Sequence, residues 1–369
     1  MSRLSALQMK HHWLRLTVAS VAAALAATAG LAVPAHEDGV AAGATEPTPQ
    51  IAFVRSELES PYASHLFVMN PNGSELRQLT SGSGRDGDQV WSPDGRSLVF
   101  VRWTFDHTAP GQVDIWDSDV FVIGADGTGL RQLTDDGSSF SATWSPDGRT
   151  IAYGDGTRIL LMNADGTGKR ELTSVSSDDL WVAPSWSPDG KRIALTTGGG
   201  GGFIVNADGT GMRHFTHGSG SCWSPDSRRI AFGGGPPGHR YSSIYVVDAL
   251  RPGARPRRVT RNAYNESSFA WSPDGRRIVY ARKHQGGIYS INVNGTHDRR
   301  LTRDPLRPDG LAGGFSWSPD GHELAYASDR SGNGDIYVDA FGWGGKQQLT
   351  EGLEVDGAPR WSLSKTPSC

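Results

Sequence analysis

Two cysteines in 369 residues, Cys222 and Cys369, leave little room for redox chemistry or a cysteine-bound metal cluster. Cys222 adjoins Trp223 and reads as a small buried core residue. A disulfide to the tail is conceivable in an exported chain, though the spacing gives it no support. Long apolar runs are scarce too. Apart from Leu16 to Val33, no segment is apolar over enough residues to span a bilayer. That run follows Arg3, Lys10 and Arg15, and small residues lie at its end, Val33 with Ala35 or Ala27 with Ala29. Residues 1–35 are therefore expected to be a secretory signal peptide and 36–50 a low-complexity linker, an uncleaved anchor being the alternative. With no cysteine beside the cleavage site, a lipoprotein anchor is not expected. Enzymatic signatures are missing as well. There is no Gly-x-Ser-x-Gly elbow, and the glycine run at 198–202 lacks the Gly-Lys-Ser/Thr of a phosphate loop.

Repetition is what the chain has in abundance. Trp-Ser-Pro-Asp-Gly, or a close variant, begins at Trp91, Trp144, Trp186, Trp223, Trp271 and Trp317, and a worn copy begins at Trp361. The steps are 53, 42, 37, 48, 46 and 44 residues, a period that marks a repeat architecture. A second signature, close to Asn-Ala-Asp-Gly-Thr-Gly, precedes a Leu-Thr-like pair such as Leu133-Thr134 or Val259-Thr260.

The copy from Trp144 to Thr173 gives the local structure. Proline pre-sets φ in a tight turn and glycine accepts positive φ, so Ser145 to Gly148 turns the chain. Thr150–Tyr153, Arg158–Met162 and Lys169–Thr173 are β-prone runs between turn residues. With the segment ending at Trp144, each repeat yields four antiparallel strands, one blade of a β-propeller. The tryptophans then fill the gaps between blades, each burying about 150–250 Å². Ile51–Val54 lacks a preceding turn, and Ala358–Ser362 lacks a following strand. The expected fold is an all-β, seven-bladed β-propeller over 51–369, closed by pairing the C-terminal strand with the first blade.

These motifs resemble the Tol-type, WD-like repeat of the periplasmic TolB proteins, which also occurs in the propellers of some peptidases and polysaccharide lyases. The resemblance covers about residues 51–362 and implies a propeller. TolB itself carries an α/β domain before six blades, whereas a short stretch from Glu37 to Gln50 precedes the seven counted here.

Charge is unevenly spread although the net is −3. Residues 36–190 hold 23 acidic and 10 basic side chains, a balance of −13, and residues 251–307 hold 13 basic and 4 acidic, a balance of +9. Arg251, Arg255, Arg257, Arg258 and Arg261 form the densest cluster, suited to an acidic glycan or envelope surface, or simply solvated. Propeller wiring puts the repeated turns on one face and the variable loops on the other, where ligand sites concentrate. Four histidines fall in those loops: His107, His217, His239 and His284. Asp86, Glu266 and Asp356 stand five positions before a repeat tryptophan, at the expected rim of the channel, where carboxylates could hold a divalent cation.

The sequence thus predicts an exported, periplasmic or extracellular, non-catalytic binding scaffold. It would be a monomer without cofactor, engaging a protein or envelope polymer and not nucleic acid. The alternative, implied by the resemblance, is a polysaccharide lyase-like enzyme with a histidine-bound divalent metal.

Overall fold

The computed structural model describes residues 47–57, 63–106, 115–175, 182–235, 242–262, 264–282, 286–306, 314–340 and 345–364. The expected signal peptide, most of the linker, His107, His239, His284 and Cys369 lie outside them. Among the described residues the regular structure is β-strand, apart from one 3-10 turn at Asp329–Ser331. No helix among them is long and apolar enough to cross a membrane.

Strands associate in fours. The first repeat combines Val355–Trp361 with Ile51–Ser56, Ser64–Met69 and Arg77–Gln78. The second uses Arg85–Trp91, Ser97–Asp106, Ile115–Gly124 and Arg131–Gln132. The third uses Ser139–Trp144, Thr150–Asp155, Arg158–Asn163 and Arg170–Ser174, as the sequence predicts to within a residue or two. In the fourth, Val182–Trp186, Arg192–Thr197 and Gly201–Asn206 are followed by Arg213–Trp223. That last strand runs on to become the inner strand of the fifth repeat, beside Arg229–Gly234, Ser243–Asp248 and Arg257–Arg258. The sixth repeat runs from Glu266–Trp271 to Arg299–Arg300, and the seventh from Phe315–Trp317 to Gln347–Gln348.

The recurrent residues hold this geometry. In the third repeat Ser145 Oγ donates to Asp147 Oδ1 at 2.6 Å, the Arg149 N–H donates to the same carboxylate, and the Thr150 N–H donates to Ser145 Oγ. Gly148 has φ 69° and Gly275 φ 64°, a region that disfavours a Cβ. The Leu-Thr pair docks the outer strand. In the fifth repeat the Val259 N–H donates to the Ile244 carbonyl, and Thr260 Oγ1 accepts from the Ile244 N–H at 2.9 Å. In the second signature Asp165 Oδ1 accepts from both the N–H and the hydroxyl of Thr167, so this carboxylate serves its own turn.

Apolar side chains form seven clusters, each between two repeats. Leu66 and Val68 of the first pack with Leu98 and Phe100 of the second, and the series continues through the seventh. The remaining cluster joins Ala325, Ile336 and Val338 of the seventh repeat to Ile51, Phe53 and Trp361 of the first. All seven repeat tryptophans, Trp91, Trp144, Trp186, Trp223, Trp271, Trp317 and Trp361, are buried. Trp91, Trp223 and Trp271 donate their indole N–H to the carbonyls of Arg360, Ser185 and Cys222, each the residue before the preceding repeat's tryptophan. Cys222 is buried as expected, but its thiol is bound in a disulfide whose other half lies outside the described residues.

Candidate functional site

Five of the seven inner strands carry an irregularity before the tryptophan; those of the fourth and seventh repeats pair in unbroken register. The pairing register shifts between Gly87 and Val90, between Phe140 and Thr143, and at matching places in other repeats. The residue three before the tryptophan there has positive φ: Asp88 (53°), Ser141 (52°), Gly220 (60°), Ser268 (42°) and Ala358 (50°). Such a bulge re-aims side chains, and a non-glycine residue held at positive φ costs about 1–3 kcal/mol.

Beyond the bulges, at the ends of the inner strands, lies a cavity of about 380 Å³. Trp91, Trp144, Trp186 and Trp361 line it, with prolines of the turns and Arg360. Its walls come from the first, second, third, fourth, sixth and seventh repeats. Among the described residues Arg360 is its only charged lining residue. Burial lowers the pKa of this guanidinium, and the charge of Asp88 opposes the shift. Asp88 is pushed above the ordinary carboxylate range by burial, with Arg360 and Arg85 opposing. Its side chain is nonetheless exposed to solvent.

The carboxylates expected at the channel rim sit at the other end of these strands, and two of them are already engaged. Asp86 accepts from Arg102 Nε and Nη2 at 2.6 and 2.8 Å, and Asp356 from Arg55 Nε and Nη2 at 2.6 and 2.7 Å. Both acids are almost completely buried, so the arginines supply the charge that burial demands. Burial raises the pKa of Asp356, and the Arg55 hydrogen bond and charge oppose that. Glu266 is buried and accepts from the Thr260 hydroxyl at 2.7 Å. Burial raises its pKa, opposed by hydrogen bonds from Thr260 and Asn262 and by the charges of Arg282 and Arg258.

Of the four loop histidines, only His217 is described. It is exposed, its ring centroid 4.3 Å from that of His214. A register shift between Gly202 and Phe203 on the partner strand accompanies this approach. Burial lowers the pKa of His214, and the nearby His217 adds to the effect. No group of three or more His, Cys, Asp or Glu among the described residues is arranged to hold a metal ion.

Asp88 and Arg360 lie outside the variable loops. A signal for them exists once the repeats are aligned on tryptophan. The residue three before it is Asp88, Ser141, Ala183, Gly220, Ser268, Gly314 or Ala358, and the residue one before is Val90, Thr143, Ser185, Cys222, Ala270, Ser316 or Arg360. One charged side chain stands in each column.

Comparison with known proteins places this geometry. A family model described as the TolB beta propeller domain matches residues 154–305. The Tol-Pal system protein TolB of Anaeromyxobacter dehalogenans (strain 2CP-C) is 30% identical over 125 residues, 33% of this chain and 26% of that protein. The chain spans about a quarter or less of the length of the curated relatives it matches. Among solved structures, TolB from Acinetobacter baumannii aligns with TM-score 0.54 and 16% identity, over 85% of this chain and 66% of that one. An oligogalacturonate lyase from Vibrio parahaemolyticus aligns with TM-score 0.57 and 15% identity, over 75% of this chain and 83% of that one. At such identities the likeness is one of fold. The family match, the relatives and the fold together support a TolB-like β-propeller for this chain.

Proposed function

We propose that the protein is an exported, non-catalytic binding scaffold that engages a protein or a cell-envelope polymer. Its frame would be a closed ring of seven four-stranded blades over residues 51–369, following a signal peptide at 1–35 and a linker at 36–50. The observation that carries the reading is the cyclic order of the seven apolar clusters, the last joining the seventh repeat to the first. Such a ring would leave only short outer edges and would be rigid, presenting its loops and its axis in fixed register. The Tol-Pal relative supports an envelope setting, and a monomer in the periplasm or outside the cell fits it.

Three measurements test this on the full chain expressed without a metal-binding tag. N-terminal sequencing of the exported protein should begin after Ala35 or Ala29. Cross-linking to isolated envelope should yield a defined partner, and neutralising the exposed Arg251, Arg255 and Arg261 together should weaken its capture if the basic sector is the contact. Export failure, or no partner from any envelope fraction, would remove the scaffold reading.

The close pair His214 and His217 favours one second reading, a lyase-like enzyme with a histidine-bound divalent metal. Stoichiometric metal that disappears in the His217→Ala, His284→Ala double variant, with eliminative cleavage of an acidic polysaccharide, would promote it.

A further inference from the structure

The cavity at the ends of the inner strands combines an apolar body with one charge. Four indoles and Phe315 line it, and among the described residues Arg360 is the only ionised group that does. The guanidinium forms no hydrogen bond or ion pair with a described residue; Asp88 attracts it without coming within ion-pair distance. A guanidinium carries five N–H donors, and leaving it partly desolvated without an acceptor is unfavourable. The other repeats avoid that cost with a small or apolar residue at this position. The surroundings also keep its place open, since a Cβ on Gly314 would stand 2.8 Å from Arg360 Nη1.

We propose that this cavity is a binding site for a small amphipathic carboxylate, its acid group paired with Arg360 and its apolar body against the tryptophans. A planar carboxylate matches the two-pronged guanidinium. A single negative charge suits the site better than a phosphate dianion, because Asp88 already contributes one negative charge nearby. The volume, about 380 Å³, lies at the lower end of small-molecule pockets and fits one ring with a short acid chain, not a polymer. This site is separate from any partner surface on the loop face, so its failure would leave the scaffold reading standing.

The probe is 3-phenylpropionate, with 3-phenylpropanamide as its neutral counterpart, titrated into the full chain and followed by calorimetry and tryptophan fluorescence. The acid should bind saturably and about tenfold or more tighter than the amide, the range for a charged hydrogen bond. In Arg360→Gln the preference should vanish while the amide binds as before. Gly314→Ala, which crowds the guanidinium without removing it, should weaken the acid alone. Melting temperatures of both variants check that they fold. Equal affinity of the unaltered protein for acid and amide would overturn the proposal. So would an acid preference that survives in a folded Arg360→Gln, or no saturable binding of either probe up to about 10 mM.

Discussion

The side-chain amide of Gln347 donates to the carbonyl of Asn72 at 3.2 Å, tying the outer strand of the seventh repeat to a turn of the first. Two other repeats have an equivalent contact. Arg257 Nη2 donates to the Val293 carbonyl at 2.7 Å, and Arg213 to that of Ala249, each reaching the corresponding turn of the next repeat. In the remaining repeats Arg77, Arg131, Arg170 and Arg299 stand at the same place, the first position of the outer strand. The arginines of the basic sector are therefore not all free surface charge. Arg257 bridges repeats, and Arg258 and Arg300 donate to the Thr260 and Thr302 carbonyls.

Arg257 and Arg251 should accordingly differ although both are exposed arginines of one cluster. Arg257→Ala removes a charged donor to a backbone carbonyl and should cost about 1–2 kcal/mol. Arg251→Ala should change stability by no more than about 0.5 kcal/mol. Urea denaturation midpoints decide it, and equal effects would mean that the bridge contributes nothing.

Gly148 and Gly275 test the turn chemistry. Both adopt positive φ with Cβ positions clear of backbone atoms, so a substitution there strains the chain more than it creates a clash. Valine at either should lower stability by about 1–3 kcal/mol. Unchanged denaturation midpoints in both variants would contradict the turn assignment.

The parts of the fold that repeat were legible because periodicity reports local rules. Tryptophan spacing, the Ser-Pro-Asp-Gly turn and the alternation of β-prone runs each follow from backbone geometry, and the strands of the third repeat match it closely. Partners across space were not legible. Nothing near Asp86 or Asp356 in the chain announces the guanidinium groups of Arg102 and Arg55. The latter pair spans the two ends of the chain, joining Asp356 to Arg55. The bulges are not legible in the sequence for a related reason. Ser141 and Ser268 are ordinary strand residues by type, and only the register shift gives them positive φ. Arg360 stands inside the closing strand, where nothing in the local sequence separates a charge that enters the cavity from one that faces solvent.

Glu266 should make stability pH-dependent in a direction opposite to that of an ordinary salt-bridged acid. Burial raises its pKa in the folded chain. A carboxyl with a raised folded pKa holds its proton more tightly folded than unfolded, so its ionisation opposes folding. That penalty is full above the folded pKa and fades as pH falls toward the unfolded value. Glu266→Gln should therefore melt higher than the parent at pH 7, with the difference shrinking toward pH 4 or so. A variant that melts lower at pH 7 would show that the charge is stabilised where it sits.

Removal of residues 357–369 tests the proposed closure of the repeats into a ring. The deleted segment supplies the pairing of Trp361 with Ile51 and of Arg360 with Ala52, and the Trp361 side chain in the cluster that joins the first and seventh repeats. It also carries the carbonyl that receives the Trp91 indole N–H, and its loss leaves Asp356 as the chain terminus beside Arg55. Strand Ile51–Ser56 would then expose a row of unpaired backbone groups, an edge that recruits other chains. Loss of buried Trp361 alone should cost about 3–5 kcal/mol. The expected outcome is aggregation, or a drop in melting temperature across the whole domain, because each repeat leans on the next. Size-exclusion chromatography and thermal denaturation would read it. A truncated protein that remains monomeric and melts with the parent would contradict closure through the C-terminal strand.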